Sequence, residues 1–452
     1  MSIETSALGD ASRGGARPLR NARAAVLAYF VVLGVTEGMW VARIPGVQAG
    51  LHLTDGLLGA SLLVGPAGLV AVMPLAGRLA DRFGSGRLSW LAGAAVAVMP
   101  LFLWTGATLP SVMLAVLAFG IAGGMLSVGL NAQGVHVEQA YGRPLMASFH
   151  ASFSVGGLAG ALLGGLLASH QLAPAGRPQT DGLAGIVLAG MAIAVVAGRW
   201  LPREPPHRGG RPAARPGRPP WRGWLTRPGR AAWSPPGSAR LTGLGLLALC
   251  CLIAEGAAAC WSGVYLRDNL DAPRGYVAAG FAGFSLAMAA GRMAGDRLAA
   301  RYGPACLVRG CGLLASAGLA AALCTRSPAG AVIGFAACGA GLSCTVPQFL
   351  SAAGHADPER PGAGIARVAG LGYLGLVGGP ALIGGCASVA GLPAALCIPV
   401  ALGLCVTFFG AIVAPGRAGL GAGPVPGPAA PALGPAGVSG TDPARPAGSR
   451  SR

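Results

Sequence analysis

GRLADRFGSGR, residues 77–87, and GRMAGDRLAARYG, residues 291–303, are two versions of one phrase. Each runs Gly-Arg, then an acid followed by Arg, then an aromatic-Gly pair. Each stands between two long apolar runs, so a charged connection recurs once in each half of the chain. A second pair points the same way. GRPLMASFHASFSVGGLAGALLGG at 142–165 and ERPGAGIARVAGLGYLGLVGGPALIGG at 359–385 both join an Arg-Pro turn to a Gly-rich segment ending in Gly-Gly. Such self-similarity marks a chain built from two related units.

The runs around these phrases define the unit. Twelve are long enough, or nearly so, to cross a hydrocarbon core of about 30 Å: 22–44, 56–76, 88–105, 110–134, 147–169, 181–201, 241–266, 276–290, 304–325, 329–354, 364–390 and 393–413. Numbered as spans 1–12, they place the first phrase between spans 2 and 3 and its repeat between spans 8 and 9. The expectation is an all-α membrane protein of twelve transmembrane helices in two six-helix pseudo-repeats. Its parts are a cytoplasmic N-terminal tail (1–21), a first bundle (22–201), a Pro/Arg-rich cytoplasmic linker (202–240), a second bundle (241–413) and a disordered cytoplasmic tail (414–452).

Composition agrees. Of 452 residues, 53% are hydrophobic and 11% charged, whereas soluble domains are roughly a quarter charged. The 77 glycines suit helices that must approach closely in lipid. The 33 basic residues are all arginine and the net charge is +18. They are dispersed between apolar runs instead of lining one face, which excludes a nucleic-acid partner. Arg13, Arg17, Arg20, Arg78, Arg82, Arg87, Arg143, nine arginines of 202–240, Arg292, Arg297, Arg301 and Arg360 fall on one side. Arg43, Arg177, Arg267, Arg274 and Arg326 fall on the other. That asymmetry puts both termini in the cytoplasm. The first twenty residues contain no apolar core of a signal peptide. The 11 cysteines form no Cys-x-x-Cys pair and no zinc spacing, and read as small hydrophobes. No metal or cofactor is called for. A Gly-x-x-x-x-Gly-Lys-[Ser/Thr] loop cannot exist without lysine, so nucleotide-driven pumping is excluded. An enzyme is disfavoured by the lack of a nucleophile–base set in the spans.

The first phrase resembles the signature loop of the major facilitator superfamily, Gly-x-Leu-x-Asp-Arg-x-Gly-Arg-Arg. Gly77, Leu79, Asp81, Arg82 and Gly84 match it, while Ser85 and Gly86 stand where basic residues are usual. RIPG after span 1 and SFHASFSVGG opening span 5 are similar to fucose-permease-like and other sugar-permease-like members. The resemblance implies a secondary transporter working by alternating access. It also implies a loop that latches the two halves in one conformation, here Gly77, Arg78, Asp81, Arg82 and Gly84, with Arg292, Asp296 and Arg297 in the repeat. Charge pairing of Asp81 with its flanking arginines in the headgroup zone is the physical account of the latch. Plain positive-inside anchoring is the alternative.

Two acids lie deep in apolar runs: Glu37 in span 1 and Glu255 in span 7. They follow Arg23 and Arg240 by fourteen and fifteen residues, or about 21–22 Å along a helix, so they stand at matching depth past the midplane. By resemblance, spans 1 and 7 line a central cavity. A carboxylate there can exchange protons or bind a solute; the alternative is a buried structural hydrogen bond. Gly34 and Gly38 flank Glu37 at a spacing that admits a neighbouring helix. Trp40 either stacks on solute or anchors at the interface. Asn131, Gln133 and Gln348 either contact solute hydroxyls or join helices, and His150 either titrates or caps. In span 5, Gly156, Gly160, Gly164 and Gly165 keep the spacing of the family's exporter motif, but Ala161 replaces its proline.

The expected function is proton-coupled uptake of a sugar-like or other small solute across the plasma membrane. Proton-antiport efflux is one alternative, and a non-transporting sensor or scaffold is another. The partners are the solute, protons and lipid, with a monomer expected.

Overall fold

The glycine that closes each copy of the repeated phrase is where the chain turns. In the computed structural model, Gly84 and Gly303 take φ of 89° and 78°, a region that side-chain-bearing residues avoid. At each, one helix stops and the next starts at once: Val64–Phe83 gives way to Ser85–Thr105, and Arg274–Tyr302 to Pro304–Cys324. Residues 4–170, 178–202, 238–356 and 360–414 are described. Most of the linker, the C-terminal tail and Arg177 lie outside them.

Among the described residues the chain is all helix. Span 1 is Glu4–Gly50, span 2 is Asp55–Leu62 continued by Val64–Phe83, and span 3 is Ser85–Thr105. Spans 4, 5 and 6 are Leu109–Tyr141, Met146–His170 and Pro178–Gly198. Spans 7, 8 and 9 are Ser238–Leu270, Arg274–Tyr302 and Pro304–Cys324. Span 10 is Pro328–Leu342 with Thr345–Ala356, span 11 is Pro361–Ala390, and span 12 is Leu392–Ala395, Cys397–Phe409 and a 3-10 turn at Gly410–Val413. Ten of these are long and apolar enough to cross a membrane, the other two being the interrupted span 2 and span 6. The described residues thus form an all-α architecture of twelve spans.

Starts are set locally. The Thr108 side chain accepts from the Ser111 N–H, and the Ser111 hydroxyl in turn accepts from the Thr108 N–H, a reciprocal cap with Pro110 just inside. Ser327 caps Gly330 at the start of span 10. Helix continues further than apolarity alone predicts. Span 1 begins at Glu4, inside the expected tail. Span 8 runs to Tyr302, not to 290. The repeated phrases are therefore helix ends, not loops: Gly77, Arg78, Asp81 and Arg82 belong to span 2, and Arg292, Asp296 and Arg297 to span 8. Nothing between the last apolar residue and the closing glycine breaks a helix.

Spans 1 and 5 pack backbone to backbone. A Cβ on Gly34 would meet the Phe153 carbonyl and the Gly157 amide, and one on Gly38 would meet the Gly157 carbonyl and the Ala161 amide. From the other side, Gly156, Gly160 and Gly164 press on Val31, Val35 and Met39. The opposite edge of span 5 carries exposed Val155, Leu158, Leu162 and Leu166, an apolar stripe suited to lipid. The exporter-like glycine spacing thus has a packing cause. Spans 7 and 11 repeat the arrangement, with Gly372, Gly375 and Gly379 against Ala248, Leu249 and Ile253. Where the halves meet, span 2 lies against span 11 and span 8 against span 5. These two contacts are equivalents of one another under the repeat.

Candidate functional site

The two glutamates occupy the same station in this packing. Glu37 precedes Gly38, which presses on span 5, and Glu255 precedes Gly256, which lies 3.1 Å from the Leu376 carbonyl of span 11 at its would-be Cβ. One helical step, 100°, turns each acid away from that contact and toward the join between the halves. Thr36, Gly38, Met39 and Trp40 are buried while Glu37 is open, and Glu255 is half-open among buried Ile253, Ala254, Gly256 and Ala257. Glu37 is thus the exposed position in a run of buried neighbours. Among the described residues neither carboxylate takes a hydrogen bond or an ion pair.

The acids lie within electrostatic reach of each other. Arg292 of span 8 acts on Glu255 and on His150. Tyr373 of span 11 is within electrostatic reach of both glutamates and Arg292. His150 Nε2 is 3.1 Å from Asn131 Oδ1, with its ring 5.3 Å from Phe30. The Asn131 amide donates to the Ser127 carbonyl at 2.8 Å. Spans 1, 4, 5, 7, 8 and 11 thus bring polar or charged side chains to one chamber where the halves meet.

The other residues singled out in the sequence go elsewhere. Trp40 is buried with Val47, Met99, Leu103 and Val116, in a core between spans 1, 3 and 4 and not on the chamber wall. Its large apolar face is satisfied there. Gln133 donates to Ser85 Oγ at 2.8 Å and to the Pro202 carbonyl at 3.3 Å, tying span 4 to span 3 and to the chain after span 6. Gln348 is buried in the second piece of span 10, its Nε2 without a partner among the described residues.

The latch residues are placed by their aspartates. Asp81 Oδ1 accepts from the Gly362 N–H at 2.9 Å and Oδ2 from the Ala363 N–H at 3.0 Å, capping span 11 from the other half. Asp296 does the same for span 5, accepting from the Ala147 and Ser148 N–H groups at 2.9 and 3.1 Å. The acids therefore work by taking the open amides and positive dipole end of a helix, an account that pairing with flanking arginines did not supply. Arg78, Arg82 and Arg297 are exposed. Gly77 allows the approach: its Cβ would lie 2.8 Å from that of Ala366. Arg292 joins the halves at another point, donating from Nη1 to Ser154 Oγ of span 5 at 2.9 Å. It lies four residues before its aspartate, where Arg78 lies three before, and that single step turns it into the chamber.

Glu138, near the end of span 4, was not singled out in the sequence because it follows the apolar part of its run. It is buried, accepts from the Leu145 and Met146 N–H groups at 2.7 and 3.0 Å, and is bonded by the Ser351 hydroxyl of span 10. With Asp296 it accounts for four successive amides at the start of span 5. Glu138→Ala is expected to cost about 2–3 kcal/mol, because buried amides lose a charged acceptor. A thermal midpoint equal to wild type would contradict that role.

A duplicated twelve-span bundle with polar and charged side chains gathered at its join, and with carboxylate-capped helices bridging its halves, is built as a solute transporter. The comparisons agree. Residues 25–365 match the Major Facilitator Superfamily, and the chain belongs to that family. An uncharacterized MFS-type transporter of Yersinia pestis is 32% identical over 357 residues, 78% of this chain and 85% of that protein. The uncharacterized transporter y4wD of Sinorhizobium fredii is 30% identical over 356 residues, 78% and 88% of the two chains. The crystal structure of FucP in its outward conformation superposes with a TM-score of 0.67 at 15% identity, covering 87% of this chain and 99% of that one.

Proposed function

We propose that this chain is a proton-coupled secondary transporter of the bacterial inner membrane, with both termini cytoplasmic, taking up a small hydroxylated solute through the chamber at its join. The observation that carries the reading is the pair of carboxylates, Glu37 and Glu255, within electrostatic reach of each other and without a hydrogen-bond or ion-pair partner among the described residues. Two ionised acids at close quarters in a low-dielectric space repel, so a proton or a solute cation relieves them. The halves join firmly at the end bearing Asp81 and Asp296, which is the cytoplasmic end by arginine placement. The chamber then opens outward in this conformation, and transport reverses that closure. The surrounding hydroxyls and amides, Ser127, Asn131 and Tyr373 among them, suit a hydroxylated solute.

The test is proteoliposome uptake under an imposed proton gradient. Glu255→Gln is expected to lower gradient-driven accumulation by about tenfold or more, while exchange of solute for solute, which needs no net proton movement, persists. If Glu37→Gln and Glu255→Gln both accumulate solute like wild type, the coupling assignment is wrong. If wild type moves none of the solutes offered, with or without the gradient, a scaffold or sensor is the better description.

A further inference from the structure

Arg292 brings into the chamber a guanidinium whose donors the protein leaves largely unused. It stands ten residues before the end of span 8 at Tyr302, about 15 Å along the helix. Its Nη1 donates to Ser154 Oγ across the join at 2.9 Å, and that neutral hydroxyl is its one hydrogen-bond partner among the described residues. The Nε is buried and unpartnered. No carboxylate of the described residues stands at ion-pair distance: Asp296, one turn on, is engaged with Ala147 and Ser148, and Glu255 acts on it only through space. A guanidinium has five donors in a planar fork, matched to a planar oxyanion. With one bond made and Glu255 acting only through space, its remaining donors are available to an oxyanion that binds it directly.

We propose that Arg292 is the anion-binding group of the chamber and that the transported solute carries a single carboxylate. This rests on the transporter reading above and adds the substrate class. Charge balance selects one negative charge over two. Glu37 and Glu255 already supply two acids against one guanidinium, so with one acid protonated the chamber is neutral. A monocarboxylate seated on Arg292 takes that cation from Glu255, and one further proton on Glu255 restores neutrality. One proton then travels with one monoanion. A dianion would need two further protons where a single acid remains to take one. Ser127, Asn131 and Tyr373 are the neutral groups near this point, able to hold hydroxyls on the solute's skeleton.

The full chain in lipid nanodiscs is titrated with three pairs of probes that differ only by a carboxylate replaced with a hydroxymethyl group. The pairs are gluconate and sorbitol, glucuronate and glucose, and lactate and propane-1,2-diol, each read by the shift in thermal midpoint. At least one acid is expected to raise the midpoint of wild type while its alcohol does not. Arg292→Gln is expected to raise that acid's half-saturating concentration by about tenfold or more. Arg292→Lys, which keeps the charge and loses the fork, is expected to fall between, and it decides the matter should the glutamine variant fail to fold. Indifference of wild type to all three acids overturns the proposal. So does an acid response that survives unchanged in Arg292→Gln or, should that variant fail to fold, in Arg292→Lys. An alcohol that stabilises wild type and the variants equally overturns the anion assignment while leaving the transporter reading intact, since that reading fails only in the proton-gradient assay.

Discussion

Leucine at Gly38 or at Gly160 is expected to eliminate folded protein from detergent extracts, while leucine at Gly165 leaves a monodisperse sample. A Cβ on Gly38 would overlap the Gly157 carbonyl and stand 2.7 Å from the Ala161 amide nitrogen. One on Gly160 would overlap the Val35 carbonyl and stand 2.7 Å from Val35 Cα. At Gly165 nothing lies within 4 Å. Overpacking costs about 1–3 kcal/mol when neighbouring side chains can move aside. Here the obstacle is backbone, so spans 1 and 5 would have to separate along much of their shared length. That loss is comparable with the whole stability of a folded chain, about 5–15 kcal/mol. Alanine supplies the offending atom without the rest of the side chain and should give an intermediate yield. Size-exclusion profiles and thermal midpoints decide it. A monodisperse Gly160→Leu protein with an unchanged midpoint would mean that spans 1 and 5 do not meet as described.

The same glycines show what could be read from the chain alone. Small residues at Gly34 and Gly38 announce a close helix neighbour, and the glycines of span 5 supply it. The repeated phrases announce the duplication. The matching depth of Glu37 and Glu255 follows from counting residues. Direction does not follow from counting. A span that is apolar on every side has no preferred face, so nothing in span 1 says whether position 37 meets lipid, a neighbour or a cavity. Trp40 shows the consequence, since it lies at the right depth and faces the bundle's own core. Arg292 shows a second limit. Gly-Arg looks identical in the two phrases, but measured back from the aspartate the arginines differ by one residue. On a helix one residue is 100°, enough to carry Arg78 outward and Arg292 into the chamber. Glu138 was hidden for another reason. It lies past the apolar run on a helix that continues to Tyr141, and its use is to cap a helix that begins in the next turn of chain.

Removing both latch carboxylates, as Asp81→Asn with Asp296→Asn, is expected to shift the resting population toward the state closed on the opposite side and to lower uptake by about tenfold or more, without loss of membrane insertion. Each aspartate takes two amides at a helix start that belongs to the other half. Asparagine keeps one acceptor oxygen and loses the charge. Hydrogen bonds to charged groups contribute about 1.5–3 kcal/mol, and about 1.4 kcal/mol changes a two-state ratio tenfold, so the double variant shifts that ratio about a hundredfold or more. Hydrogen–deuterium exchange reads the event at its source. Asp81→Asn alone should speed exchange at Gly362 and Ala363, and Asp296→Asn alone at Ala147 and Ser148. If the halves part as rigid bodies, each single change should also loosen the other site, because the two caps close the same joint. Faster exchange confined to the altered site, with uptake unchanged in the double variant, would reduce both aspartates to local helix caps. The closure would then have to be carried by the glycine-lined contact of span 2 with span 11 and by Glu138 with Ser351.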